Sequence, residues 1–305
     1  MLDLCTGALF EGEAIGAKRY SVAAHARAVA LKDRHMEGQA LLLRSRADIM
    51  ICDLSSGLEA ASRAAELLAD SERGLYVYAQ SIRSYAASSM GEVGLATQVM
   101  RDALKLQSGP SCSGWESALC HNYDGLVSMW GGDLEGADDS FDAALWFADL
   151  SKSFQPLANR LFLAVMEALR HENEAREKGS PLVPDLTNLF ALLGQIRRLL
   201  ASGNCDVLVD RGSMTMGLAI MELANVFALV RVGQLEEAVL HYHLCKQVLQ
   251  KLPSTNWFHG LLQWAKHDIY RARNMLQEAA AAKAVMARIA KGSQHAQLLK
   301  LANAL

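Results

Sequence analysis

The stretch Gly132-Asp133-Leu134-Glu135-Gly136-Ala137, followed by Phe141 and by Ala144-Leu145, recurs along the chain. It returns as Gly91-Glu92-Val93-Gly94-Leu95-Ala96 with Met100 and Ala103-Leu104, and as Gly233-Gln234-Leu235-Glu236-Glu237-Ala238 with Tyr242 and Cys245. Looser copies are Ser56-Gly57-Leu58-Glu59-Ala60-Ala61 and Asn274-Met275-Leu276-Gln277-Glu278-Ala279. The glycine, lacking a Cβ, takes the left-handed conformation that closes a helix. Ala137, Phe141 and Ala144 then fall at i, i+4 and i+7, one stripe of the following helix. Small residues let two helices approach closely, and the larger one fills the space between them. The unit is a helix pair that cannot bury its apolar face alone, so units stack.

Counted on the alanine, the copies at 61, 96 and 137 lie 35 and 41 residues apart, and those at 238 and 279 lie 41 apart. Gly125, nine residues before Leu134, supplies a small residue on the first helix of its pair. On these residues the chain resembles the tetratricopeptide repeat (TPR) family, whose period is about 34. The resemblance covers roughly residues 40 to 290. It departs from the family in having no early Trp at that register and no proline closing a unit. It implies an all-α fold, a right-handed α-solenoid of stacked antiparallel helix pairs. About fourteen helices are expected. A TPR-like domain is placed at residues 1–292, with six to seven pairs and an irregular stretch between 150 and 205. A linker helix is placed at 293–305, leading toward an output domain.

Composition agrees with helices. Of 305 residues, 51% are hydrophobic and 21% charged, with only 5 prolines and 7% aromatics. A net charge of −3 and the absence of a basic stripe argue against nucleic-acid binding. Arg197-Arg198 and Lys152 are too sparse to alter that. The six cysteines show no paired spacing, which points to reduced thiols and a cytoplasmic setting. The N-terminus lacks the pattern of a signal peptide. The apolar stretch Met214–Val232 is interrupted by Glu222 and Asn225, so it reads as a buried helix, and no membrane partner is expected.

Three motifs invite chemistry. Gly131-Gly132-Asp133-Leu134-Glu135 looks like the GGDEF signature of diguanylate cyclases, but it falls within the repeat phrase and reads as a helix-joining turn. His241 and Cys245 lie one helical turn apart, yet Cys245 stands where other copies have Ala144 and Ala103. Cys120-His121 has no complementary pair. No nucleophile elbow, phosphate loop or HExxH motif occurs. No catalytic residue, cofactor or metal is expected.

In the TPR family the first helix of each pair lines a concave groove. Carried over by register, that face holds Arg46 and Met50, then Tyr78, Ser81 and Tyr85, then Asn122, Leu126 and Trp130. Phe227 follows, then Trp264, Asp268 and Arg271, with Asn159 and Arg160 on the long helix of the irregular stretch. Aromatics, amides and arginines suit a peptide, a protein partner or a small ligand. The end, His295–Leu305, resembles the Leu-rich helix that feeds bacterial GGDEF domains. That resemblance implies a sensory input module in c-di-GMP signalling, with a homodimer compatible with an exposed terminal helix. A peptide-responsive regulator or scaffold with a TPR groove is the alternative; residues 1–35 are too short of Arg and Lys for a DNA-reading helix.

Overall fold

The computed structural model describes residues 1–70, 72–107, 112–147, 154–179, 185–203, 211–250 and 252–304, the side chains of 211–213 excepted. Among them are fifteen helices and no strand. The first eight are α1 (Leu2–Phe10), α2 (Ala14–Leu31), α3 (Arg34–Met50), α4 (Leu54–Leu68), α5 (Arg73–Ser89), α6 (Val93–Gln107), α7 (Gly114–Gly131) and α8 (Leu134–Phe147). Then come α9 (Phe154–Glu177), α10 (Thr187–Ser202), α11 (Arg211–Arg231), α12 (Leu235–Leu249), α13 (Phe258–Ala272), α14 (Leu276–Gly292) and α15 (Ala296–Ala304). Each helix packs on the next in sequence, and each odd-numbered helix also packs on the next odd-numbered one. Parts of the expected loops (108–111 and 180–184), Lys152, Cys205 and Leu305 lie outside the described residues.

One turn recurs. Gly12, Cys52, Gly91, Gly132, Gly233 and Asn274 all have positive φ, between 60° and 91°. In each, the turn residue donates its N–H to the carbonyl three residues back, and the next residue donates five back. Gly132 bonds Met129 while Asp133 bonds Ser128; Gly91 bonds Ser88 while Glu92 bonds Ala87. These are the paired bonds that close a helix with a left-handed residue. Lys32 and Gln294 repeat the same pair between units.

This geometry corrects one repeat copy. The turn expected at Ser56-Gly57 lies four residues earlier, at Cys52-Asp53, and Ser56 is inside α4. Asp53 caps α4 by accepting the N–H of Ser56 at 3.4 Å, and Cys52 takes the left-handed conformation (φ 61°) without being glycine. Gly57 occupies the place of Ala96 and Ala137. The spacing of 35 becomes 39 from Gly57 to Ala96, and the period is 39 to 41 wherever the phrase is present. A second signature confirms the register. The residue twelve before the anchor donates to the anchor's carbonyl: Ser45 Oγ to Gly57 at 2.7 Å, Ser84 Oγ to Ala96 at 2.6 Å, Cys5 Sγ to Ala17 at 3.2 Å. At Gly125 there is no such side chain, and the Phe141 ring fills the space; a Cβ there would lie 2.5 Å from it.

The C-terminal third folds back on the first units. Thr255 Oγ1 donates to Ile51 O at 2.7 Å, Asn256 Nδ2 to Met50 O at 2.9 Å, and Trp257 N–H to Cys52 Sγ at 3.2 Å. Gln297 Nε2 donates to Ser88 O at 3.1 Å. Helix α15, which covers most of the expected linker helix, packs on α13 and α14, with Leu298 and Ala302 buried. Gly260 makes this approach feasible: a Cβ at that position would meet Leu298 at 2.4 Å. Gly260→Ala should therefore cost about 1–3 kcal/mol by overpacking and loosen α15. Hydrogen exchange of α15 checks this, and unchanged protection would refute the fit.

Candidate functional site

Helices α3, α5, α7, α9, α11 and α13 surround a common interior. A cavity of ≈ 90 Å³ is lined by Arg46, Ile49 and Met50 of α3, Ile82 and Tyr85 of α5, and Tyr123, Leu126 and Trp130 of α7. Its other walls are Gln155, Asn159 and Phe162 of α9, Met216, Gly217 and Ile220 of α11, and the segment Asn256-Trp257-Phe258. Six aromatic side chains and one charged residue, Arg46, therefore face one space. Burial raises the Tyr85 phenol above its ordinary range, with Cys52 and Tyr123 adding to the effect and Ser89 and Trp257 opposing it.

Trp130 is also a wall of a second, more open groove of ≈ 460 Å³. Met129, Leu134, Met166, Leu169, Leu301 and Ala304 give it an apolar side. Arg170, Arg176, Arg271 and Lys300 bring cations from α9, α13 and α15, alongside Glu174 and Glu177. Arg231, Glu172 and Asp268 also line it. Arg231 holds both carboxylates: Nε and the second amino group reach Glu172 at 2.5 and 3.0 Å, and the first reaches Asp268 Oδ2 at 3.0 Å and Phe227 O at 3.1 Å. The guanidinium carbon lies 3.3 Å from the centroid of the Phe227 ring, which tilts against Trp264 at 6.0 Å.

An aromatic cluster is centred on Trp130, the residue that lines both spaces. Trp130 meets Trp257 edge-on at 5.8 Å, Phe162 at 5.8 Å and His295 at 5.7 Å, while Trp257 lies 4.5 Å from His295. His295 precedes α15 and accepts the N–H of Leu298 on Nδ1 at 3.1 Å. Complete burial holds its pKa down to about 3 from 6.5. Between those values the unfolded chain binds a proton that the folded one refuses, so stability is present above pH 6.5 and lost as pH falls, by about 1.4 kcal/mol per unit. From pH 7 to 5 this one imidazole should cost about 2 kcal/mol. His295→Gln should flatten the slope of unfolding free energy against pH by that amount; an identical slope would refute it.

Of the residues expected on the inner face, Arg46, Met50, Tyr85, Leu126, Trp130 and Asn159 line the cavity, and Trp130, Asp268 and Arg271 line the groove. The others are placed elsewhere. Ser81 is buried and donates to Val77 O at 2.9 Å within its own helix. Tyr78 packs edge-on against Trp115 at 5.6 Å. Asn122 accepts from Asn159 at 2.9 Å, beneath the cavity wall. Arg160 turns outward to Asp138 at 2.6 Å and also pairs with Asp142 on α8. Phe227 and Trp264 lie in the core under Arg231.

Several lining residues were not read from the register. Asn256 and Trp257 precede α13 in a non-helical segment, where helical periodicity carries no signal. Tyr123 sits one position beyond Asn122, on a face wider than the stripe assumed. Lys300 and Leu301 arrive through the fold-back of α15.

The motifs weighed for chemistry have structural roles. Gly132 closes α7 with φ 91°, and Asp133 accepts the N–H of Gly136 at 3.0 Å at the start of α8. Cys245 is buried with Sγ 3.7 Å from Ala219 O, its thiol pushed up to about 12 by burial, and His241 pairs with Glu222 at 2.5 Å. No group of three or more His, Cys, Asp or Glu among the described residues is placed to hold a metal ion. Among the described residues, one helix is long and apolar enough to cross a membrane, the Met214–Arg231 part of α11, and most of it is buried inside the fold. No family model matches the chain, and no curated protein matches it either.

Proposed function

We propose that the chain is a non-catalytic, TPR-like helical-repeat module that binds a small molecule or a partner's side chain on its inner face. The observation that carries this reading is the convergence of α3, α5, α7, α9, α11 and α13 on one aromatic-walled cavity. In a stacked array each unit contacts its neighbours, so a ligand touching several inner helices couples units that are distant in sequence. The recurrent turn with a spacing of 39 to 41 supports a solenoid of antiparallel pairs, taken here as right-handed by its likeness to TPR arrays. The buried thiols of Cys5, Cys52, Cys120 and Cys245, each raised to about 11 or 12, suit a reducing, cytoplasmic compartment.

Mass spectrometry of the natively purified protein tests the reading. A bound mass that is released on denaturation is expected. Its absence, together with no binding from a library of small carboxylates, alcohols and peptides, would overturn it.

Within this reading the module is a regulatory input, and α15 is the element that responds. The favouring observation is that Gln297, Lys300, Leu301 and Ala304 of α15 form one wall of the groove. Occupancy there bears directly on the helix that resembles cyclase linkers. Fused ahead of a diguanylate cyclase reporter, the module should change cyclase output on Trp130→Ala; unchanged output would overturn the input role.

A further inference from the structure

We infer that the groove between α9, α13 and α15 takes an amphiphilic organic anion, a carboxylate with an apolar body, and that α15 closes on it. The inference rests on the reading of the inner face as a binding surface and adds the chemistry of the ligand. Size comes first: ≈ 460 Å³ lies within the range of pockets that enclose small organic molecules. The wall is apolar on one side, where Trp130, Met166 and Leu301 stand.

Charge decides the head group. The two most buried carboxylates, Glu172 and Asp268, are both held by Arg231, and the three together keep one net negative charge. Arg170 is engaged with Glu174 at 3.8 Å on the same helix. Arg176, Arg271 and Lys300 make no ion pair among the described residues, and Glu177 is the remaining carboxylate at the mouth. Three helices thus bring three cations to one opening, against Glu177 and the one negative charge left over on the Arg231 cluster, an excess of one positive charge. A cationic ligand would meet that excess of like charge. A neutral one would leave it unused. A carboxylate accepts charge-assisted bonds from it while its chain covers the apolar wall. Because Lys300 and Leu301 belong to α15, the ligand's head and body both touch that helix, and binding should stabilise its docked position.

The test uses the full chain and three probes of one length, below their micellar concentrations: decanoate, decanol and decylammonium. Calorimetry is expected to show decanoate binding, with decanol weaker by about tenfold or more and decylammonium weaker still. Arg271→Gln with Lys300→Gln, two exposed positions, should lower decanoate affinity by about tenfold and leave decanol unchanged. Decanoate should also slow hydrogen exchange in α15. Equal affinity for decanoate and decanol, or an unaffected double variant, overturns the anion inference while the binding reading stands. If none of the three binds but the natively purified protein carries another mass, the inference falls and the binding reading survives. If none binds and no mass is carried, both fall.

Discussion

Phe141→Ala is expected to cost about 3–5 kcal/mol of folding free energy, a large part of the roughly 5–15 kcal/mol that stabilises a typical domain. The ring is fully buried and seated over Gly125, whose missing side chain is what admits it. Alanine at 141 leaves a void between α7 and α8, the helix pair that bears Trp130 on one side. The partner substitution sharpens the test. Gly125→Ala alone should cost about 1–3 kcal/mol, because its Cβ has no room beside the ring. In the double variant that Cβ enters the space vacated by the ring, so the two losses should not add. A coupling of about 0.5–3 kcal/mol is expected for residues in contact. Urea unfolding of the four proteins measures it, and additivity would show that the glycine does not seat the ring.

Arg231→Met should cost a comparable 3–5 kcal/mol or so, the typical penalty for breaking a buried ion pair by removing one partner. Glu172 and Asp268 are 3% and 13% exposed and would be left without their cation. The guanidinium also covers the Phe227 ring, so packing is lost with the charge. Removing all three charges is a different matter. Arg231→Met combined with Glu172→Gln and Asp268→Asn should recover most of the loss, since an uncompensated buried charge is the main source of the penalty. Thermal unfolding of the single and triple variants separates the two. Equal destabilisation of both would mean that packing around Arg231, not charge, holds α9, α11 and α13 together.

Much of the fold was legible in the sequence because helix pairing leaves local marks. A small anchor, a bulky residue four positions on, and a glycine five positions before are all short-range signals. They identified the turns at Gly91, Gly132, Gly233 and Asn274. The first copy was misplaced because Cys52 adopts a left-handed turn that sequence assigns to glycine, and because a real glycine, Gly57, stood nearby as a decoy. Register also brought Arg46, Tyr85, Leu126, Trp130 and Asn159 toward one place. It did not foresee that the array folds back on itself. That closure depends on three polar contacts from residues 255–257 to the α3–α4 turn, on Gln297 reaching Ser88, and on the fit of Leu298 over Gly260. Contacts between segments some two hundred residues apart leave no periodic trace. Instead of one open groove there are a cavity and a charged groove that share Trp130, whose ring packs against Trp257 and His295.

The proposed function requires that the inner helices enclose a ligand. A crystal structure of the natively purified protein tests it most directly, through the electron density in the space bounded by Tyr85, Tyr123, Trp130, Phe162 and Trp257 and in the groove beyond Trp130. Continuous density of an organic molecule is expected in at least one of them, lost in Trp130→Ala. Ordered water alone in both, with the same inner-face geometry in wild type and variant, would contradict it.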